Sequence, residues 1–317
     1  MILKITTIDQ AKLRLLLDFL KPLFKKRFPD QKNTKFGPKR KFSRWLLVIL
    51  GLLGAHVDMS WKEYIVQLQP MKDMILSFNQ PERADTEVEK LPAKTTIYKA
   101  AYSVPPSQIM SLTHQIARIM VDAPSNVSVD SSGFLLKLGS IWRTVKYTGT
   151  RFKRTSRIFY KIHIVVDTAT KTVLALNWSK SPTHDFPMAL KLLRQLGKRL
   201  LAKVTRFFGD KAYGGSALRK QLVAAGVDLI VEPKSNAIDS GQDTARDRQV
   251  RLYQASPKLW KHTFGHGRKS VVESVFSEIK LKMRFKARKR VILKRQLLLQ
   301  FFMFNLNLWL DSHKSRR

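Results

Sequence analysis

The hydrophobic positions divide the chain into a first region with helical spacing and a second region with strand spacing. Up to about residue 120, apolar residues recur at helical intervals, with polar interruptions at residues 28–41 and 79–94. After Pro124, short runs rich in Val, Ile and Phe are typical of strands. The pattern predicts a mostly helical N-terminal region, residues 1–120, and a second region, residues 121–317, that begins with strands.

The order of elements in the second region predicts a mixed sheet. NVSVDSSGFLL is interpreted as a strand, and RIFYKIHIVVD and TVLALNWSK as a hairpin around TATK. A helix over residues 184–202, the strand VTRFFGD, a helix closed by Gly226 and the strand VDLIVEP follow. Residues 234–264 lack a clear period and predict a polar loop, and a helix is expected from Arg268. Antiparallel strands joined to strand–helix–strand units predict an α/β fold, a mixed five-stranded sheet flanked by helices.

A short helix in the N-terminal region is a candidate DNA reader. It is predicted to begin near Lys94 and to end before Pro105, and its first turns carry Thr95 and Lys99. A helix-turn-helix protein needs such a short helix with polar and basic residues at its N-terminal end. An ordinary helix with a threonine cap explains the same residues equally well, so both interpretations stay open, with Thr95 and Lys99 as candidate DNA contacts under the first.

Charge adds a partner to this picture, because the chain is strongly basic. It has 59 Lys and Arg against 23 Asp and Glu, a formal net charge of +36. Residues 131–166 contain eight basic residues and no acidic one, and residues 281–317 contain eleven basic residues against the single acid Asp311. One such run is typical of a solvated surface, but two in a chain of this charge favour binding to phosphates. Nucleic acid is therefore the expected partner.

Composition also bears on the compartment. Cysteine is absent, which excludes disulfides and thiolate metal sites and fits a reducing cytosol. The first residues carry Lys12 and Arg14 and lack a cleavage site of small residues, so a signal peptide is not expected. The apolar residues 45–57 and 297–310 are too short or too polar for a bilayer crossing of about 20 helical residues. We expect buried helices there and no membrane partner.

Two aspartates follow apolar runs where active sites of α/β proteins collect. Asp130 follows VSV and precedes Ser131, Ser132 and Gly133, and Asp210 follows TRFFG. Either aspartate alone is more typical of a turn or a helix cap. Both together at predicted strand ends beside glycine indicate a pair of functional carboxylates.

A third carboxylate is predicted on the helix expected from Arg268. With about 100° per residue, the apolar residues of this helix fall in one stripe. They are Val272, Val275, Phe276, Ile279 and Met283. Glu273 lies beside this stripe, in line with His266, Lys269 and Lys280, whereas Glu278 points to solvent. Glu273 is therefore the candidate that joins the two aspartates.

Two aspartates and a glutamate in these places form a ligand set for two-metal phosphoryl chemistry. Mg²⁺ prefers oxygen ligands and keeps some waters, so a few carboxylates hold two ions about 4 Å apart. Asp130, Asp210 and Glu273 are thus the candidate catalytic and metal-binding residues, with two Mg²⁺ as cofactors and Mn²⁺ as a substitute. Acids that hold metal and bases that hold DNA explain how an acidic cluster occurs in a basic chain.

Three sequence blocks resemble the DDE transposases of prokaryotic insertion sequences. VSVDSSG is similar to the first Asp block, FFGDKAYGG to the second, and HGRKSVVESVFSEIK to the third, the Tyr-Arg-Glu-Lys signature. In the third block the signature spacing is kept, but His266 replaces Tyr and Lys269 replaces Arg, while Glu273 and Lys280 match. VEPKSNA also resembles the turn with Pro, Lys and Asn that follows the last strand in the family.

The resemblance implies a ribonuclease H-like catalytic domain with DNA contacts around the carboxylates. The gap of 63 residues between Asp210 and Glu273 implies that the β-rich insertion domain of some relatives is missing. The resemblance also assigns DNA-binding roles to residues beside the motif carboxylates, and it assigns DNA-end binding to residues 1–120. These DNA-binding residues are His266, Arg268, Lys269, Lys280, Lys211 and Tyr213. For Tyr213, stacking on a base and simple packing are weighed equally.

The resulting hypothesis is a transposase that binds the inverted-repeat ends of its element as a homodimer in the cytoplasm of a prokaryote, associated with the nucleoid. It would cleave DNA to free 3′-hydroxyls and join them to target DNA by two-metal transesterification. Two alternatives remain: a metal-dependent nuclease of the same fold that only hydrolyses DNA, and a non-enzymatic DNA-binding repressor derived from a transposase.

Overall fold

The computed structural model of the 317-residue chain describes residues 9–30, 41–57, 59–79, 88–135, 144–145, 154–155, 159–180, 185–282 and 290–314. Close contacts divide the chain into two compact units. One unit contains residues 1–112 and 289–317, and the other contains residues 113–288.

Helices make up the described N-terminal part of the first unit, as the helical spacing predicted. They are α1 (Gln10–Arg27), α2 (Arg44–His56), α3 (Trp61–Leu68), α4 (Lys72–Ser77), α5 (Lys94–Ser103) and the start of α6 (Pro106–Met120). Helices α2 and α5 pack closely because Gly51 carries no side chain. A Cβ atom at Gly51 would lie 2.8 Å from both the amide nitrogen of Ala101 and the carbonyl oxygen of Ile97. Residues 45–53 of α2 are almost all buried, so this apolar stretch forms the core predicted for it.

A mixed five-stranded sheet forms the centre of the second unit. Its elements are β1 (Asn126–Leu135), β2 (Thr144–Val145), β3 (Arg154–Thr155), β4 (Phe159–Asp167), β5 (Val173–Lys180), α7 (Asp185–Leu201), β6 (Arg206–Gly209), α8 (Ser216–Ala224), β7 (Asp228–Val231), α9 (Ala245–Ala255), α10 (Pro257–Phe264) and α11 (Ser270–Lys282). The strand order is β5-β4-β1-β6-β7, with β2 and β3 in a separate small sheet. Strands β5, β4 and β1 are antiparallel, and β1, β6 and β7 are parallel. The predicted ribonuclease H-like mixed sheet is confirmed.

Helices cover both faces of this sheet. Phe207 of β6 and Leu229 of β7 lie in a buried cluster with side chains of α6, α7 and α8. Their neighbours Phe208 and Ile230 lie in a second cluster with Trp260 of α10. Because successive side chains of a strand point to opposite faces, the two clusters are on opposite sides of the sheet. The prediction of helices on both faces is therefore confirmed.

The predicted polar loop at residues 234–264 is wrong over its second half, where α9 and α10 form. Thr244 and Asp247 cap α9 reciprocally, and the Ser256 hydroxyl accepts a hydrogen bond from the Leu259 amide at the start of α10. Such caps satisfy amides that the first turn leaves without partners. Trp260 anchors α10 by complete burial. The apolar residues of this segment are sparse, so the two helices show little periodicity in the sequence.

The C-terminal helix α12 (Arg290–Lys314) belongs to the first compact unit. The Trp309 ring stacks on Phe19 of α1 with 3.8 Å between centroids, and the guanidinium of Arg295 donates to the carbonyl oxygen of Tyr102. The compact units therefore do not follow the predicted division at residue 120, because the apolar side chains of α12 are buried among N-terminal helices. Within the described residues, no helix combines the length and the apolar character that a membrane crossing requires.

Candidate active site

Strands β1 and β6 bring two carboxylates to the same edge of the sheet. The parallel pairing of Ser128 with Phe208 is the last one between these strands, and Asp130 and Asp210 each follow two residues later. Gly209 permits this arrangement, because a Cβ atom there would lie 3.0 Å from Val129. Asp130 and Asp210 are thus next to each other where the parallel pairing ends.

Asp130 is not at a strand end, contrary to the prediction. Strand β1 continues to Leu135 because its antiparallel partner β4 pairs with it over the whole stretch, including Asp130 with Ile164. The strand end that lies beside Asp130 is that of β6, at Gly209. Beyond Gly209, β1 has no neighbour on that side, and this leaves space beside Asp130 for other side chains.

Helix α11 supplies the third carboxylate. Four of the five apolar residues predicted to face the core, Val272, Val275, Phe276 and Ile279, are buried, and the fifth, Met283, lies outside the described residues. Glu273 points away from them with 55% of its side chain exposed. The helix begins at Ser270, later than predicted, and residues 266–269 form a 3₁₀ turn. The helical alignment of His266 with Glu273 therefore does not hold, whereas Lys269 lies beside Glu273 as predicted.

Lys269 joins two of the carboxylates. Its ammonium forms an ion pair with Asp210 and lies 3.5 Å from Oε1 of Glu273. The turn is attached to the sheet, since the Ser128 hydroxyl donates to the Lys269 carbonyl oxygen at 3.3 Å. Burial opposes the charge of Lys269, but the hydrogen bond and the charge of Asp210, followed by Glu273, outweigh it and raise its pKa. A positive charge therefore sits between the second and third acids.

The charges of both other acids affect the pKa of Asp130. Burial, together with the negative charges of Asp210 and Glu273, raises its pKa from the usual value of 3.8 to about 6. The Ser131 backbone and the charge of Lys269 act in the opposite direction. The three predicted acids therefore form one electrostatically coupled cluster.

The chemistry of these donors fits Mg²⁺, because carboxylate oxygens are its preferred protein ligands. In the present arrangement, the described residues contain no group of three His, Asp or Glu side chains placed to hold a metal ion. Asp210 and Glu273 instead share the ammonium of Lys269. The cluster thus has the donors for a divalent cation and already accommodates one positive charge.

Lys280 reaches the same edge of the sheet from the second half of α11. Its ammonium donates to the Ser132 hydroxyl at 2.5 Å and lies 5.3 Å from the centroid of the Phe134 ring. The residue is exposed. Lys280 is therefore placed beside β1, two residues beyond Asp130, with its charge accessible from solvent.

The remaining residues of the third block differ in exposure. Arg268 is exposed, whereas His266 is half-buried with its ring 4.9 Å from that of Trp260. Burial, together with the charge of Lys269, lowers the pKa of His266. Its Nε2 atom is buried and has no hydrogen-bond partner among the described residues. His266 thus packs against α10, and Arg268 is the solvent-exposed cation of this turn.

The two candidate DNA contacts of the second block differ, because Lys211 is exposed and Tyr213 is buried. Lys211 is paired with Glu232 at 3.2 Å. Tyr213 is 1% exposed and belongs to the core, so the structure shows the packing alternative, and its ring has no free face for a base. Burial, and then the charges of Asp185 and Asp130, raise the pKa of Tyr213.

Thr95 and Lys99 are both exposed on α5. They are four residues apart and so share one side of the helix, while Ile97 and Ala101 are buried. The helix therefore presents a polar surface of the kind that both earlier interpretations require.

Asp185, the first residue of α7, connects several residues beside Asp130. Its Oδ1 atom accepts a hydrogen bond from the Ser131 hydroxyl at 2.8 Å and is 2.6 Å from the Lys161 ammonium. The same atom lies 3.4 Å from Nδ1 of His163, which burial keeps neutral by lowering its pKa to about 4. In the sequence, Thr183, His184 and Asp185 form a polar cluster that could have indicated this site, and the first two lie outside the described residues. Asp185 therefore supports the strand segment that carries Asp130.

Most of the basic residues predicted to form two phosphate-binding runs cannot be placed. Many of those in residues 131–166, and all of those in residues 283–289, lie outside the described residues. Residues 211–272 are described throughout and contain one strand, β7, besides helices and turns. The inference that a β-rich insertion is missing from this interval is therefore confirmed.

One known protein family matches the chain. The profile of the family described as transposase DDE domain matches residues 124–306, more than half of the chain. Asp130, Asp210 and Glu273 all lie within the matched residues.

Solved structures of DNA transposition and integration complexes are also similar. A piggyBac transposase synaptic complex with hairpin DNA is 12% identical, with 97% of this chain and 76% of that chain covered and a TM-score of 0.45. The Mos1 mariner paired end complex with Mn is 14% identical, with coverages of 94% and 91% and a TM-score of 0.25. A simian T-cell lymphotropic virus intasome is 15% identical, with coverages of 53% and 64% and a TM-score of 0.23.

Proposed function

The chain belongs to the transposase DDE domain family, and we propose that it binds the inverted-repeat ends of its own element, frees 3′-hydroxyls and joins them to target DNA. The observation that carries the proposal is the coupled cluster of Asp130, Asp210 and Glu273. It is an acidic site in a chain with a net charge of +36. A DNA-binding surface alone has no need for three acids that repel phosphate.

The three carboxylates are proposed to hold two Mg²⁺ ions, with Mn²⁺ as a substitute. When bound, the metal supplies charge stabilisation for the attacking and leaving oxygens of phosphoryl transfer. Asp130 must be ionised to act as a ligand, which its pKa of about 6 allows at neutral pH. The ammonium of Lys269 shows that Asp210 and Glu273 can share a single cation.

Basic side chains around the cluster are proposed to hold the DNA strand end. Lys280 and Arg268 are exposed on either side of Glu273, and Lys269 lies at the cluster itself. Because each is a cation at neutral pH, they can position a phosphate next to acids that would otherwise repel it. Asp185 acts indirectly by holding Ser131, the neighbour of Asp130.

The DNA-end binding function is proposed for residues 1–120, with the exposed Thr95 and Lys99 of α5 as contacts. The catalytic function is proposed for residues 121–317, although α12 packs with the N-terminal helices. Joining two ends requires two sites, so we propose a homodimer that acts on DNA in a prokaryotic cytoplasm.

Strand cleavage and joining test this proposal. The substrates are oligonucleotides that carry the inverted repeats flanking the gene, incubated with the full-length protein in Mg²⁺, Mn²⁺ or EDTA. The variants are Asp130→Asn, Asp210→Asn and Glu273→Gln. Asp228→Asn is the matched control, since Asp228 is an exposed acid at the opposite end of β7.

We expect nicking and joining only with metal, abolished in the three variants and kept in the control. Activity that survives any of the three substitutions would sink the metal assignment. Nicking without transfer of a labelled 3′ end would identify a hydrolytic nuclease. DNA binding without turnover in either metal would identify a repressor.

A further inference from the structure

A basic cavity opens at the carboxyl end of β7, next to the second catalytic acid. Its volume is about 400 Å³. The wall is formed by four basic side chains, one carboxylate, two amides and apolar groups. The charged residues are Lys211, Arg219, Lys234, Arg246 and Glu232, and the amides are Asn236 and Gln249. The cavity therefore carries a net positive charge at its surface.

Arg219 is the most constrained cation of this wall. It is half-buried on α8, and its guanidinium makes no ion pair with any carboxylate of the described residues. Burial, and then the charge of Arg246, lower its pKa. Two guanidinium groups that repel each other in a partly buried position favour an anion between them.

The acids near the cavity already have partners. Asp247 accepts hydrogen bonds from the Ser240 amide at 2.9 Å, the Ser240 hydroxyl at 2.7 Å and the Thr244 hydroxyl at 2.7 Å. Glu232 is paired with Lys211 at 3.2 Å and accepts a 2.5 Å hydrogen bond from the Tyr253 hydroxyl. The charge of Asp247 partly offsets that of Arg219. Since Glu232 is already paired with Lys211, the remaining cations Arg219, Arg246 and Lys234 exceed the negative charge available to them.

We propose that this cavity binds a backbone phosphate of the DNA strand that is being processed, next to the phosphate that reacts. Arg219 and Arg246, both half-buried, line it together with the exposed Lys234, which lies in the turn with Pro, Lys and Asn after β7. The identity of the bound strand rests on the proposed transposase function. The ligand chemistry, a phosphodiester, rests on the cavity.

The position of the cavity supports a site for a neighbouring phosphate. Gly209 of β6 pairs with Val231 of β7, so Asp210 and Glu232 leave adjacent strands at the same edge of the sheet. Lys211, which lines the cavity, is the next residue after Asp210. A strand with one phosphate at Asp210 therefore passes the mouth of the cavity.

A double-mutant cycle between side chains and single phosphates tests this site. Fluorescence anisotropy in EDTA measures binding of the full-length protein to duplexes of the flanking inverted repeat, each with one phosphate replaced by a neutral methylphosphonate. The variants are Arg219→Gln and Lys234→Gln; the second residue is exposed and its substitution does not disturb the core. Lys220→Gln is the control, an exposed cation on the same helix that does not line the cavity.

For the wild type, we expect one methylphosphonate position to weaken binding by roughly tenfold. In Arg219→Gln and Lys234→Gln that position should lose its effect, and the slope of log K against log salt should fall by about one. Lys220→Gln should retain the wild-type sensitivity. If both variants keep the wild-type sensitivity to that methylphosphonate, the cavity is not a phosphate site for DNA. The same conclusion follows if the variants lose affinity equally for every methylphosphonate duplex.

A second arm separates free phosphate from DNA. Inorganic phosphate at constant ionic strength should compete with DNA for wild-type protein, and more weakly for Arg219→Gln. Stabilisation by inorganic phosphate without any coupling to DNA would overturn the proposal in favour of a free-anion site. Binding is measured in EDTA and so does not depend on catalysis. If the variants change the methylphosphonate effect but the wild type cleaves no DNA, only the proposed function is contradicted. If the wild type cleaves DNA but the variants leave the methylphosphonate effect unchanged, only the cavity site is contradicted.

Discussion

Replacing Asp130 with Asn should make the metal-free protein more stable while it abolishes activity. Burial and the charges of Asp210 and Glu273 raise the pKa of Asp130 from 3.8 to about 6. The folded protein therefore opposes the negative charge at neutral pH. Asn has nearly the same shape and no charge, so it relieves this opposition without opening a cavity.

The size of the effect follows from the pKa shift. The rise of the pKa from 3.8 to about 6, at about 1.4 kcal/mol for each tenfold change in the proton-binding constant, sets an upper bound of about 3 kcal/mol. Since Asp130 is partly exposed, we expect about 2 kcal/mol. For a unit of this size, that corresponds to an increase in Tm of about 4–8 °C.

The effect has a defined pH dependence. An acid whose folded-state pKa is raised binds its proton in the folded state at pH values where the unfolded chain has lost it. The wild type therefore loses stability as the pH rises from about 4 to about 6, and the loss is complete above that range. Asp130→Asn should match the wild type below pH 4 and exceed it at pH 7 and above.

Thermal denaturation in EDTA at several pH values measures this difference, with Asp228→Asn as the control for loss of an exposed acid. Mg²⁺ should then make the wild type more stable than Asp130→Asn. Metal at 100 times its Kd stabilises the wild type by about 2.7 kcal/mol, whereas the variant offers it one ligand fewer. A variant that is no more stable than the wild type at pH 8, or equally more stable at pH 4, would refute the electrostatic reasoning.

Three further substitutions test other parts of the site. Lys269→Gln should lower the Mg²⁺ concentration for half-maximal thermal stabilisation by roughly tenfold, because a cation beside Asp210 and Glu273 no longer competes with the metal. Arg268→Gln removes an exposed neighbouring charge and should have a smaller effect. Equal effects of the two substitutions would contradict this role of Lys269. Asp185→Asn should slow strand cleavage by roughly tenfold with unchanged DNA affinity, since it weakens the contacts that hold Ser131 beside Asp130. An unchanged cleavage rate would contradict this supporting role. Gly209→Ala should destabilise the protein by about 1–3 kcal/mol in urea denaturation, because its Cβ would lie 3.0 Å from Val129, whereas Gly267→Ala, with nothing within 4 Å, should not.

The strands and their order along the chain were predictable because their apolar runs are continuous and bounded by clear turns. The buried face of α11 follows from side-chain periodicity alone. By contrast, α9 and α10 were missed, since their apolar content is low and Trp260 secures its helix through contacts made only in the folded chain. The place of α12 was also not predictable, because an apolar helix needs a partner but its sequence does not say which one.

The sequence by itself determined the residue types of the site: three acids in ordered blocks, surrounded by basic residues, within a mixed sheet. Only the tertiary structure decided how these acids are coupled, because the pKa of Asp130 and the ion pairs of Lys269 depend on distances between β1, β6 and the turn before α11. The same holds for Asp185 and for the basic cavity. Their contacts join residues far apart in the chain, and local periodicity carries no information about such distances.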